Sequence, residues 1–352
     1  MCPRKAAVPS SEMGNQLIER SAACEQMNVT INPTDSTGSQ STSTVHHHCY
    51  LLPTLKGHQI CNTSIVLWFT PLELSQSLLG GRLVQSSACV LICIRTAEGI
   101  YRHGARFTNF FDSLYSRGGF GLQELNDVKM QCPSDVLNAL MNGIVQGNED
   151  HERSTGGGKT NFTVPNAIRV SGNQFKELDF CSVYGDQRRL LLKYLKVAIT
   201  HPDLYCRQQN FLLLLVCQRA VLLVIQPMDG LISAIDSHRH HLNGSFLLCG
   251  RLTELNSFVD SLIAFLFPEI YKTPLEHQQF EMSVIQFVGQ LTSFDCPLDL
   301  PMNSVRKISI FPFAPGENRR SFSPLLIPRR QLGGSRLKRL FRTCSKKKIK
   351  NK

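Results

Sequence analysis

No stretch of this chain restricts the fold more than residues 210–250, NFLLLLVCQRAVLLVIQPMDGLISAIDSHRHHLNGSFLLCG. Its greasiest part, 211–226, is split by Gln218 and Arg219 into two apolar runs. A membrane helix needs about 20 continuous apolar residues, so each run reads as a buried strand. Pro227–Gly230 has turn composition. LISAIDSH then supplies a third strand, His240–Gly244 another turn, and SFLLCG a fourth strand. Four strands in sequence, joined by short turns, predict a meander.

Helical signals flank it. Apolar residues recur at helical spacing in 133–147, with Ser134 or Asp135 as the cap, and in 252–267. Asp186 is positioned to cap a helix over 187–200, and a weaker helix is expected near 164–170. Further strands are expected at 64–69, 178–184 and 280–288. The run opened by Cys89, CVLICIRTAEGIYR, is too continuous for a half-exposed strand and long enough for a buried helix. The segment GNEDHERSTGGGKTN, 147–161, reads as a loop. The order predicts one α+β domain over roughly 51–290. Residues 1–50, with the tract NPTDSTGSQSTST, are too poor in core residues to fold, and 291–352 carries no convincing pattern before a basic tail.

The net charge of +11 belongs to that tail. Residues 329–352 hold eleven Lys and Arg and no Asp or Glu, which leaves 27 basic and 27 acidic side chains in the rest. A nuclear import signal, non-specific binding to nucleic acid or acidic lipid, and a plain solvated tail are its three readings. Thirteen cysteines without regular spacing or a CxxC suggest reduced thiols in a cytoplasmic or nuclear protein. The N-terminus has no signal-peptide core. Asn28, Asn62, Asn161 and Asn243 head glycan-acceptor tripeptides, which also occur by chance. His46–Cys49, HHHC, reads as a metal ligand cluster or a solvated low-complexity tract; no second ligand pair is spaced to help it. A phosphate loop is rejected at STGGGKT: with Gly158 as its second glycine the first would fall at 153, which is arginine, and no strand precedes it.

Cys89 follows a polar entry, LSQSLLGGRLVQSSAC. It is either plain core or a nucleophile on the first turn of a helix capped by Ser86 or Ser87, where unpaired N–H groups favour an anion. A nucleophilic thiol needs a base. His238 closes the third meander strand with Asp236 two residues before it, and side chains at i and i+2 of a strand share a face. That supplies a Cys–His–acid set; the alternative is a turn that merely ends a strand. His240 and His241 read as loop residues. Acyl transfer also needs an oxyanion donor. Gln76, thirteen residues before Cys89 with a loop at 78–82 between, suits this better than Gln85 at the loop–helix junction.

Gln76, Cys89 and the Asp236-Ser-His238 sequence together resemble the cysteine-peptidase domain of herpesvirus large tegument proteins, and the LSQSLLGGR…SSAC run is similar to a group of uncharacterised cellular proteins with the same arrangement. The resemblance covers about residues 50–290. It implies a papain-like fold, with a nucleophile-bearing buried helix packed on an antiparallel sheet, and a deubiquitinase-like hydrolase. Cys89 would be nucleophile, His238 general base, Asp236 orienting acid and Gln76 oxyanion donor. Ubiquitin or a similar conjugate would be the substrate, with no cofactor and no membrane span. The chain departs from the pattern in two places: RHHLNG replaces a glycine-rich continuation after the histidine, and Val90 follows the cysteine where a small or hydroxyl residue is expected. The same resemblance also fits an inactive ubiquitin-binding or adaptor protein.

Overall fold

The computed structural model describes residues 53–55, 57–82, 84–107, 131–289 and 309–311. The tract at 1–50 with its HHHC cluster, and the basic tail from 329, lie outside the described residues.

The fold is α+β. Among the described residues eight strands form one antiparallel sheet: β1 (His58–Gln59), β2 (Val66–Phe69), β3 (Phe175–Tyr184), β4 (Asn210–Val216), β5 (Arg219–Gln226), β6 (Leu231–Asp236), β7 (Phe246–Arg251) and β8 (Gln279–Phe287). They lie in the order β1-β2-β7-β6-β5-β4-β8-β3. The expected meander is the centre of this sheet, because each apolar run pairs with the next across a short turn. Between β4 and β5 that turn is Cys217-Gln218, both at positive φ (49° and 64°). The right-handed twist of a two-residue hairpin demands this conformation, although neither residue favours it.

Among the described residues six α-helices accompany the sheet: α1 (Cys89–Arg102), α2 (Ser134–Thr155), α3 (Val164–Val170), α4 (Gln187–Thr200), α5 (Pro202–Tyr205) and α6 (Leu255–Leu266). Strand alternation sends Leu212, Leu214, Val221, Leu223, Ile225, Ile232 and Ala234 into one apolar cluster with Leu191, Tyr194 and Leu195 of α4 and Phe258, Leu262 and Leu266 of α6. The intervening residues Phe211, Leu213, Ala220, Leu222, Val224 and Ile235 are buried as well. Against them lies α1, whose Cys93 thiol donates to the Ala220 carbonyl (3.5 Å) and whose Tyr101 ring meets Phe211 edge-on (6.4 Å). A sheet covered on both faces explains why its strands read as continuous apolar runs.

Helix α1 is held down by α2 at backbone distance. A Cβ placed on Gly143 would stand 2.3 Å from the Thr96 hydroxyl, and one on Gly147 2.7 Å from the Ile92 backbone nitrogen. Only glycine permits that approach.

Two expectations are corrected. Helix α2 continues to Thr155 through the segment read as a loop, ending where Gly156 takes positive φ (60°). Ser86 and Ser87 do not cap α1: its N-cap is Ala88, without a side-chain cap, and the Ser86 hydroxyl instead accepts from the Ala88 N–H (3.1 Å). Beyond residue 291, where no pattern was legible, Ile310 and Phe311 are buried, and both donate their N–H groups to the Asp179 carboxylate (2.6 and 2.8 Å). Asp186, by contrast, caps α4 as expected, accepting from the Arg189 N–H (3.0 Å).

Candidate active site

Cys89 is the first residue of α1. Buried Val90, Leu91, Ile92 and Ile94 anchor the helix behind it, while Cys89 itself stays half-buried at the surface end. One turn on, Cys93 is sealed inside. Burial pushes its thiol well above the ordinary range, with smaller contributions from the Cys89 and Asp236 charges. Two cysteines four apart thus occupy opposite situations, and only the first is accessible.

The Cys89 thiol is among the groups that raise the proton affinity of His238, which places the two side chains near one another. The His238 Nδ1 is taken by Asp236 Oδ1 (2.5 Å). The pairing of Asp236 with His238 does not arise from strand alternation as expected. Strand β6 stops at Asp236, and the same carboxylate oxygen also accepts the His238 backbone N–H (3.1 Å). The acid closes a turn that returns the imidazole over it, a habit of Asp side chains at chain reversals. It both ends the strand and aims the histidine.

Asp236 has no exposed surface. Burial alone would raise its proton affinity; the charge and hydrogen bond of His238, joined by the hydrogen bond of His240, reverse this and hold the carboxyl well below the usual carboxylate range. For His238, burial works downward, but the Asp236 charge and hydrogen bond, with the Cys89 contact adding to them, hold the imidazole up at about 10. The pair is therefore an imidazolium–carboxylate contact through the neutral pH range.

Gln76 is buried, whereas its competitor Gln85 is exposed. The Gln76 backbone N–H donates to the Ser237 carbonyl (2.8 Å), and its side-chain oxygen accepts from the Ser237 hydroxyl (2.8 Å). Its amide nitrogen donates to the Ser86 carbonyl (3.2 Å), three residues before Cys89. Ser237, the central residue of Asp-x-His, thereby fastens the glutamine loop to the histidine turn.

Two polar residues here were missed in the sequence. Asn148 of α2 donates to the Gln76 carbonyl (2.9 Å) and accepts from the Ser86 hydroxyl (2.6 Å), tying both ends of the loop that leads to Cys89. His240, read as a loop residue, turns its Nε2 onto Asp236 Oδ2 (2.9 Å). The Asp-Ser-His-Arg-His spacing was its only signal. Among the described residues, no group of three or more His, Cys, Asp or Glu is arranged to hold a metal ion, and no helix is long and apolar enough to cross a membrane.

The sequence matches no family model, and no curated protein matches it. Among solved structures it is similar to the ubiquitin-specific protease encoded by murine cytomegalovirus tegument protein M48, crystallised with a ubiquitin-based suicide substrate. The TM-score is 0.38 and the identity 11%, over 66% of this chain and 90% of that one. A likeness this coarse leaves the functional reading to the geometry of the site.

Proposed function

We propose that the chain is a papain-like, thiol-dependent isopeptidase acting on ubiquitin-type conjugates. The observation that carries the reading is the half-buried Cys89 thiol at the start of an anchored helix, near an imidazole whose Nδ1 is held by a buried carboxylate. The substrate class follows from the resemblance of Gln76, Cys89 and Asp236-Ser-His238 to the tegument-protein peptidases.

In this reading His238 Nε2 already holds the thiol's proton, and Cys89 Sγ attacks the carbonyl carbon of the C-terminal glycine as a thiolate beside the imidazolium. Asp236 balances the imidazolium across Nδ1. The carbonyl oxygen, now anionic, accepts from the Cys89 backbone N–H and from the Gln76 amide, which has one hydrogen left after its bond to Ser86. Collapse breaks the C–N bond as His238 returns the proton to the departing lysine amine. Water, deprotonated by His238, then hydrolyses the thioester.

Ubiquitin carrying a C-terminal electrophile tests this. The protein should form a covalent adduct, and Cys89→Ala should abolish it. A wild-type chain that holds ubiquitin without forming an adduct would instead be a binding module on the same fold. A chain that does neither overturns both readings.

A further inference from the structure

His240 lies in the segment where RHHLNG replaces the glycine-rich continuation expected after His238. That segment folds as a tight turn. The His240 N–H donates to the Asn243 carbonyl (3.1 Å) and the Asn243 N–H to the His240 carbonyl (2.8 Å). Gly244 then passes so close to β2's end that a Cβ on it would meet the Pro71 carbonyl at 2.1 Å. The turn sends the His240 ring back toward the sheet, against Phe246 of β7 (5.7 Å between ring centres) and Phe69 of β2 (6.5 Å). Its Nε2 reaches Asp236 Oδ2, the oxygen that His238 does not use.

An ionised carboxylate only accepts hydrogen bonds, so His240 must carry its proton on Nε2. A carboxylate without exposed surface needs a donor on each oxygen, since an unsatisfied charged atom in the interior is costly. Oδ1 is held by the His238 backbone N–H and Nδ1; a donor on Oδ2 adds a second anchor against rotation about the Cβ–Cγ bond, which would trade the oxygen that faces His238.

We infer that His240 is a positioning residue for the proposed hydrolase: it clamps Asp236 so that Oδ1 stays on His238 Nδ1, completing a His–Asp–His relay in which only His238 touches the reacting atoms. The inference rests on the proposed function for its kinetic consequence and on the geometry alone for its structural one, so the test has two arms.

In the first, the full chain is labelled with 15N-histidine and examined by NMR. Wild type should show His240 as the Nε2–H tautomer and His238 with a strongly downfield Nδ1–H proton. His240→Gln, which retains a donor, should keep that proton; His240→Phe, which keeps only the bulk, should lose it. In the second arm, the maximal rate of labelling by the ubiquitin electrophile should fall about tenfold or more in His240→Phe, because a reacting group displaced by about 1 Å loses on the order of a hundredfold. His240→Gln should retain the rate, and the probe concentration giving half-maximal rate should not change in either. A wild-type His240 in the Nδ1–H tautomer overturns the inference without any variant, as does a folded His240→Phe chain that keeps both the downfield proton and the rate. A wild type that the probe never labels overturns the proposed function, and the NMR arm still decides the role of His240.

Discussion

The two faces of the sheet are built by different means. The face under α4 and α6 is a continuous apolar cluster, with Phe258, Leu262, Leu266, Phe267 and Phe280 almost wholly buried. The face under α1 and α2 combines apolar contact with glycine-tight backbone approach and buried polar side chains: Gly143 against Thr96, Gly147 against Ile92, and Asn148 bonded to Gln76 and Ser86. The first arrangement supplies stability and tolerates sliding, because apolar burial has no direction. The second fixes where the end of α1 sits, because hydrogen bonds and close contacts do. Cys89 stands on the second.

The comparison is broken most forcefully from the apolar side. Phe258→Ala empties a fully buried site and should cost about 3–5 kcal/mol of unfolding free energy, seen as a lower urea midpoint. In the chain that remains folded, the alkylation rate of Cys89 by iodoacetamide, followed by peptide mass spectrometry, should be unchanged. Gly147→Ala should do the reverse in proportion. Its Cβ would fall 2.7 Å from the Ile92 nitrogen, which forces α1 to shift at a cost of about 1–3 kcal/mol and slows Cys89 alkylation. Equal effects of the two substitutions on the thiol would show that the faces are not distinct in this way.

A pH series sharpens the comparison at the site itself. The folded pKa of His238 is raised from about 6.5 to about 10, so its stabilisation is complete below the unfolded value and is lost as pH rises through the folded one. The folded value of Asp236 is depressed, so its stabilisation is present above the ordinary carboxylate range and is lost in acid. The stability advantage of wild type over Asp236→Asn should therefore peak between the carboxylate range and about pH 6.5 and shrink steadily toward pH 10. A flat difference would mean the ion pair contributes nothing. The smallest effect lies at the hairpin that belongs to neither face. Gln218, at φ 64°, carries a left-handed strain of about 1 kcal/mol that Gln218→Gly relieves. The variant should melt slightly higher than wild type.

What could be read from the sequence divides along the same line. The meander, α4 with its Asp186 cap and the last strand were legible because apolar periodicity and capping are local signals. The final two turns of α2 were not. Asn148, Asp150 and His151 are buried there, each through hydrogen bonds: Asn148 to Gln76 and Ser86, Asp150 to Arg95 (2.7 Å) and His151 to the Thr160 carbonyl (2.8 Å). A polar inner face breaks the apolar repeat, so the helix looks like a loop. Cys89, Gln76, Asp236 and His238 were legible as residue types in an order, but their fastening was not. Ser237 on Gln76 and His240 on Asp236 are contacts between polar atoms that no periodicity announces.

The bond between Gln76 and Ser237 joins positions 161 residues apart, and Cys89 precedes His238 by 149. During synthesis the ribosome adds about 5–20 residues per second, so the thiol emerges on the order of ten seconds before its imidazole partner has been made. Throughout that interval the nascent chain holds an ordinary cysteine. Whatever chemistry the finished site performs is withheld from the half-made protein by the order of its own residues.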